Sequence, residues 1–439
     1  MQAKGKPMYR FIISLILSLS SPGLLAVDLL NIYQLGLQND AALMIARADY
    51  EAEIESLPIA SSFRKPQIDF SVSGAYSETD QSTIGRNSNG VYGYSFGLAQ
   101  SLYDAEILAS VDAAEANVAR ASAVFEVSRQ DLIVRVAERY FAILAAQDNV
   151  DFTSAEQTAI ARQLEEAQKR FEVGLIAITD VKEAQAQFDR AIAASLLADN
   201  LLNNTRQALL VIIAEPPSSE LAKLGDKLDL EIPEPAKIQA WVDISLQNNQ
   251  SLIAALAAQR AADFVREGRR KANYPTIDLT AAYAQTSVED GILANYDLDD
   301  LRLRVQLQVP LFTGGRITAE RQQAEASYRS AQSAALLQTR LTSQETSNAY
   351  LDLVSGISQV HALEQALISS QTALQATEAG FKVGTRTSID VLLSLRETFR
   401  SERDYAASRY EYLLNLLRLK QASGLLTNDD LIQINDWLL

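Results

Sequence analysis

The chain is written twice. Leu37-Gln38-Asn39 returns as Leu246-Gln247-Asn248, Pro66-Gln67-Ile68-Asp69-Phe70 as Pro275-Thr276-Ile277-Asp278-Leu279, and Leu102-Tyr103 as Leu311-Phe312, each 209 positions on. Farther along the separation becomes 210: Tyr140 pairs with Tyr350, Phe171-Glu172-Val173-Gly174 with Phe381-Lys382-Val383-Gly384, and Asp180-Val181 with Asp390-Val391. A separation held over this length requires two copies of one structural unit, with one residue gained in the second copy between positions 103 and 350. Between the copies, Pro216, Pro217, Pro233 and Pro235 cluster with Ser218, Ser219 and Gly225, residues that break regular structure and read as a connector. The expected organisation is a signal peptide over 1–26, a first repeat over 27–214, a linker over 215–235, a second repeat over 236–426 and a C-terminal tail over 427–439.

The leader follows the order of a secretory signal. Lys4, Lys6 and Arg10 precede an apolar run from Phe11 to Leu19; Ser20 to Gly23 and Leu24-Leu25-Ala26 follow, with cleavage expected after Ala26. The run is too short for a membrane helix, which needs ~20 apolar residues. No other stretch approaches that length. An exported chain without such helices is either soluble or a β-barrel, the other structure that satisfies its backbone in lipid. There is no cysteine, so neither a disulfide framework nor a thiol-linked lipid anchor is available. The formal charge is −16, and the leader holds three of the cations and none of the acids, so the mature chain stands near −19. Such a chain repels nucleic acid.

Each copy reads as helix, two strands, very long helix, tight turn, helix. In the first, Ile68, Phe70, Val72 and Tyr76 share one strand face and Asp69, Ser71, Ser73 and Ser77 the other. Tyr92, Tyr94, Phe96 and Leu98 alternate with Gly93, Ser95, Gly97 and Ala99. In the second, Ile277, Leu279 and Tyr283 alternate with Asp278 and Thr280, and Leu301, Leu303, Val305, Leu307 and Val309 with Arg302, Arg304, Gln306 and Gln308. This alternation gives strands of about ten residues with one apolar face. Polar connections are expected from Ser77 to Val91 and from Gln285 to Asp300. A soluble sandwich and a membrane barrel share this pattern, and the strands alone do not choose between them.

The helices shift the balance. No proline or glycine falls between Asp104 and Val173, enough for a rod on the order of 100 Å. Its counterpart runs from Arg316 to Ala379, interrupted by Gly356 alone. Such rods cannot fold inside a sandwich; they project from it. Val360, Leu367, Leu374 and Phe381 lie seven apart, Leu353 and Ile357 extend the seam, and Val150, Leu164 and Phe171 hold equivalent places in the first copy. A narrow apolar seam needs partner helices. Thr179 to Ile213 and Ser388 to Leu419 can fold back to supply them. Four strands cannot close a barrel and lipid does not tolerate open edges, so several chains must share one sheet. Two copies give eight strands with a filled interior; three give twelve around a water-lined path.

The turns can be read locally. Gly174 and Gly384 suit a left-handed helix end, Thr179 and Ser388 an N-cap, Asp180 and Asp390 a first helical turn. Val173-Gly174-Leu175-Ile176-Ala177-Ile178-Thr179-Asp180-Val181 and Val383-Gly384-Thr385-Arg386-Thr387-Ser388-Ile389-Asp390-Val391 also resemble the paired helix-turn motifs of the TolC family of outer-membrane efflux proteins. Pro310-Leu311-Phe312-Thr313-Gly314-Gly315 resembles that family's strand-to-helix junction, where the first copy departs with Ser101 and Asp104-Ala105. The likeness covers nearly the whole mature chain in order. It implies an α+β outer-membrane protein: a trimeric, twelve-stranded β-barrel with four strands per protomer, continued by a periplasmic α-helical barrel. It implies a passive exit duct of a tripartite efflux pump or a type I secretion system. Partners would be two sister chains, outer-membrane lipid, a periplasmic adaptor and an inner-membrane pump or ABC exporter. The resemblance also places a gate at the periplasmic mouth, where Arg386 bonds Thr179 and Asp180 of neighbouring helices and Gln163 links to Glu378. The family's constriction tyrosine is here Phe381, its outer aspartate Asp390 and its inner aspartate Leu393. Val173-Gly174-Leu175 and Val383-Gly384-Thr385 resemble adaptor-docking tips.

Catalysis finds little material. His361 is the lone histidine, and it sits on a seam-bearing helix. No metal cluster, phosphate loop or dinucleotide fingerprint is present in the sequence, so neither a metal nor a cofactor is expected and energy must come from a partner. The rival reading is a non-conducting coiled-coil envelope protein, a spacer or adhesin, which pore conductance separates from a duct.

Overall fold

The computed structural model describes residues 27–82, 85–225, 228–289 and 295–438. The expected signal peptide, residues 1–26, lies outside them. Backbone ladders and long helices dominate, and each element follows from its local sequence.

The first copy opens with three short helices, α1 (Leu29–Asn39), α2 (Ala41–Ile54) and α3 (Ser56–Ser62). Asp28 caps α1 through the Asn31 amide. The second copy has only two, α6 (Ile238–Asn248) and α7 (Gln250–Arg270). One opening helix was expected in each copy. The break after α1 and after α6 falls at Asp40 and Asn249, the same place in the repeat, and each accepts the backbone N–H three residues on (2.7 and 3.0 Å). The further break between α2 and α3 follows from Pro58, whose ring excludes the Ile54 carbonyl from its usual bond. No proline interrupts α7.

The strands are β1 (Gln67–Gln81), β2 (Gly85–Tyr103), β3 (Thr276–Glu289) and β4 (Tyr296–Gln308) in one antiparallel sheet of that order. They run past the expected ten residues, and the connections are shorter than expected. The β1–β2 ladder continues to Gln81 opposite Gly85, and β3 reaches Glu289 before β4 begins at Tyr296. Backbone pairing needs no apolar side chains, so a change to polar residues marks the end of the apolar surface and not the end of the strand. The register aligns the expected faces. Ile68 lies opposite Leu98, Leu98 opposite Ala281 and Ala281 opposite Leu303; Phe70, Phe96, Tyr283 and Leu301 form the next row.

Two rods follow the sheet. α4 (Ala105–Glu172) and α8 (Arg316–Lys382) have 68 and 67 residues, about 100 Å each at ~1.5 Å per residue. Gly356 is carried inside α8 without a break. α5 (Ile178–Ile213) folds back along α4 and α9 (Ser388–Ala422) along α8. α7 packs between α4 and α8, whereas α2 packs on α4. The main core sits halfway along the rods: Leu132, Val136, Tyr140 and Phe141 of α4, Leu209 and Ile213 of α5, Leu353 of α8 and Leu413 and Leu417 of α9. The final helix, α10 (Asn428–Asn435), closes it, with Asn435 donating to Asp28 (3.0 Å). Among the described residues no helix is long and apolar enough to cross a membrane.

One ion pair ties the first copy's helices together. Asp40, 3% exposed, accepts both terminal nitrogens of Arg135 on α4 at 2.9 Å. The Arg135 bond, then the Leu43 amide, hold its carboxyl below the ordinary carboxylate range against the opposing effect of burial. Its stabilisation is therefore present above that range and is lost as pH falls through the lowered folded value. Asp40→Asn, which keeps the cap, should cost about 2 kcal/mol at pH 7 because the half-buried Arg135 loses its two-pronged partner and keeps only the more exposed Asp131 carboxylate at 2.6 Å. Thermal unfolding of the variant and the parent should converge as pH drops below about 4.

Candidate functional site at the helix-turn tips

Both rods end in the same turn. At the first, the Gly174 amide donates to the Phe171 carbonyl and the Leu175 amide to that of Arg170, both at 2.9 Å. At the second, Gly384 donates to Phe381 (3.1 Å) and Thr385 to Gly380 (2.9 Å). This double closure satisfies the carbonyls a helix end leaves open, and it requires a left-handed residue. Gly174 and Gly384 supply it at φ +75° and +82°. The turns project Val173, Leu175 and Val383, each about 70% exposed or more, as apolar knuckles.

The caps differ from expectation. α5 starts after Ala177, which offers no side-chain oxygen, so Thr179 lies inside the first turn and does not cap; its hydroxyl sits 3.5 Å from Asp180. α9 is capped by Thr387, not Ser388, which is buried. Thr387 and Asp390 form a reciprocal box: Asp390 donates its amide to the Thr387 hydroxyl (3.2 Å) and accepts from the Thr387 amide (2.8 Å). The Thr387 amide and hydroxyl, which both donate to the carboxylate (2.8 and 3.0 Å), then the charge of Arg386, hold the exposed Asp390 carboxyl below its ordinary range. Ala177 is the counterpart of Thr387, 210 positions earlier, so one copy has a box and the other does not.

Within one protomer Arg386 makes no hydrogen bond or ion pair to Thr179 or Asp180 among the described residues. Its stem folds back over Gly380, where a Cβ would come within 2.8 Å of the Arg386 Cγ. Gln163 and Glu378 are not joined either; the Gln163 Oε1 is shielded from solvent without a hydrogen-bond partner among the described residues. Leu393 is 53% exposed. His361 is exposed on α8.

Sequence reasoning missed two contacts that bring the tips together. The Arg170 guanidinium lies 4.3 Å from the centre of the Phe381 ring. It is steered there by Glu166, one turn back, at 2.6 Å. Deeper in, Arg396 of α9 donates to Gln187 of α5 (3.1 Å) and lies 3.8 Å from Glu156 of α4. Between them Leu392 of α9 is buried among Ile160 and Leu164 of α4 and Ala184 of α5. The heptad pattern shows which residues are apolar, but it does not show which hairpin an arginine leans toward.

A sheet with one exposed apolar face, continued by paired coiled-coil hairpins, is the architecture of outer-membrane channel proteins. The chain belongs to the outer membrane efflux protein family, whose model matches residues 32–215 and 241–425. It is 34% identical over 433 residues to the outer membrane protein TolC of Vibrio cholerae, covering 98% of each chain. To TolC of Escherichia coli it is 30% identical over 446 residues, covering 99% of this chain and 89% of that one. Its fold is similar to a solved structure of CusC, with a TM-score of 0.79 over 90% of this chain and 92% of that one, at 17% identity. It is thus an outer-membrane exit channel for efflux or secretion that extends into the periplasm. The family is one of channels and not of enzymes.

An alanine at either left-handed glycine has no steric neighbour, so its cost is backbone strain alone. Gly384→Ala should weaken its turn by about 1 kcal/mol. Amide exchange at Gly384 and Thr385 should accelerate roughly fivefold while the core stays protected.

Proposed function

We propose that three copies of the chain close a twelve-stranded barrel in the outer membrane and continue as a helical barrel whose periplasmic mouth is gated. The observation that carries this reading is the sheet. Its apolar face is open: Ile68, Val72, Leu301 and Leu303 are each more than 70% exposed. From Leu301 to Val309 the chain spans ~27 Å, which a tilt of ~40° projects to ~21 Å, most of the ~25 Å belt of outer-membrane barrels. β1 and β4 are edges and run antiparallel, so β4 of one copy can pair with β1 of the next. Without that pairing each edge leaves backbone groups unsatisfied in lipid.

The helices support the same ring. α7 sits between α4 and α8, while its counterpart α2 has α4 and leaves Met44 and Ile45 exposed. Leu336 and Leu337 of α8 are exposed as well. A neighbour's α8 against α2 would repeat the internal contact and turn two copies per chain into a pseudo-sixfold wall. The repeats over 27–214 and 236–426, joined by the linker over 215–235 and closed by the tail over 427–439, are the natural units of that wall.

At the mouth, Arg386 of one helix pair reaches Thr179 and Asp180 of the adjacent protomer, and Gln163 reaches Glu378. A guanidinium makes a strong, directional and reversible latch. The knuckles Val173-Gly174-Leu175 and Val383-Gly384-Thr385 dock a periplasmic adaptor, which couples the duct to an inner-membrane pump or ABC exporter.

Purified protein in detergent should have the mass of a trimer and form discrete channels in planar bilayers. A detergent-free monomer without conductance would overturn the proposal. Arg386→Ala should raise the basal open probability at least tenfold, since three latches are lost together. A single carboxylate ring at Asp390, with Leu393 at the second position, should bind multivalent cations weakly. Leu393→Asp should lower the concentration of a trivalent cation needed for half-block by about tenfold, and Asp390→Asn should raise it.

A further inference from the structure

We infer that each protomer carries its own two-point clasp between its hairpins: Arg170 stacked on Phe381 at the tip, and Arg396 reaching Gln187 and Glu156 farther in. The inference rests on the gated-mouth reading and adds to it a contact made within a chain. A phenylalanine cannot donate a hydrogen bond, so at this position the tie between α8 and the α4–α5 hairpin must come through the ring itself. The ring face attracts a cation, and 4.3 Å is contact distance for a guanidinium laid over it.

Arg170 is prepared for that role. Glu166 accepts its Nε at 3.0 Å and its Nη2 at 2.6 Å, which fixes the plane of the fork. A lysine has three donors but all on one nitrogen, with no planar fork to lay over the ring. Arg396 works from the other side. It belongs to α9, yet its partners are on α5 and α4, and Glu156 is mostly buried, with a side chain 13% exposed. Leu392, buried between the two clasp points, keeps the hairpins in register. The arrangement is therefore arginine, leucine, arginine along one inter-hairpin line. Opening the mouth by moving α8–α9 away from α4–α5 must break both arginine contacts, whereas separating protomers from one another breaks neither.

The test uses the full trimeric channel in planar bilayers. Arg170→Ala and Arg396→Ala should each raise basal open probability about threefold per protomer, or roughly thirtyfold where three protomers open together. Phe381→Leu should match Arg170→Ala, and the double variant should be no leakier than either single one. Phe381→Trp, which keeps a ring, should stay closed, and Arg170→Lys should fall between. Thermal stability of the trimer should not change with these leaks. Arg386→Ala is the independent arm. If it leaks while Arg170→Ala and Arg396→Ala behave as the parent, the clasp is wrong and the gate stands. If all three are silent, both fall. Should Arg170→Ala fail to assemble, Phe381→Leu reads the same contact, and a closed Phe381→Leu channel overturns the clasp.

Discussion

Unpaired backbone at two sheet edges is the constraint from which the rest of the molecule follows. A β4 edge and a β1 edge lie at opposite ends of a sheet whose apolar side has no cover within the chain. In water that surface would aggregate; in lipid each open amide and carbonyl costs several kcal/mol. The one arrangement that removes both costs joins edge to edge around a ring. In the ring we propose, the helices leaving it are committed to a circle as well. Each rod then needs a neighbour on both flanks, which α7 supplies inside the chain and α2 only in part.

Duplication makes this economical, and its imperfections carry the function. The copies agree where they build wall: paired strands, rods of matching length and the same left-handed glycine at the tip. They differ at the opening helices and at the caps beside the tips. Pro58 splits α2 from α3, whereas the counterpart α7 stays whole. Thr387 and Asp390 lock the start of α9, whereas Ala177 leaves the start of α5 uncapped and Asp180 free of a reciprocal cap bond. A carboxylate not consumed by its own helix is available to a neighbour's arginine.

Much of this was legible in residue order because it depends on periodicity. Alternation at Leu301 to Val309 and the absence of glycine or proline from Asp104 to Val173 fix local geometry before any tertiary contact forms. Strand ends were misjudged for a physical reason: Glu78 and Asp297 look like loop residues because they leave the apolar belt, while their backbones stay paired. Caps at Thr179 and Ser388 were misplaced because hydroxyl residues crowd both turns and only backbone dihedrals identify the cap. Arg170 and Arg396 were invisible among many helix-surface cations. Their partners are set by how one hairpin leans on another, and no pattern within a single helix encodes that.

The two hairpins are also held together by different chemistry, and this bears on which of them moves. Along α4–α5 the seam is apolar near the tip, with Ile160, Leu164, Ala167, Ala184 and Ala191 buried. Along α8–α9 much of it is polar: the Thr398 hydroxyl donates to the Ser370 carbonyl (3.3 Å), and the Ser394 hydroxyl to the Thr377 hydroxyl (3.3 Å). Glu402 is buried enough to push its carboxyl above the ordinary range, against the opposing effect of a bond to Gln371. Separating an apolar seam costs ~25 cal/mol for every Å² exposed. Separating hydroxyl pairs largely exchanges them for water, at a net ~1 kcal/mol each. The α8–α9 seam therefore costs less to separate near the tip than the α4–α5 seam. The clasp we infer fastens this more separable pair to the apolar one.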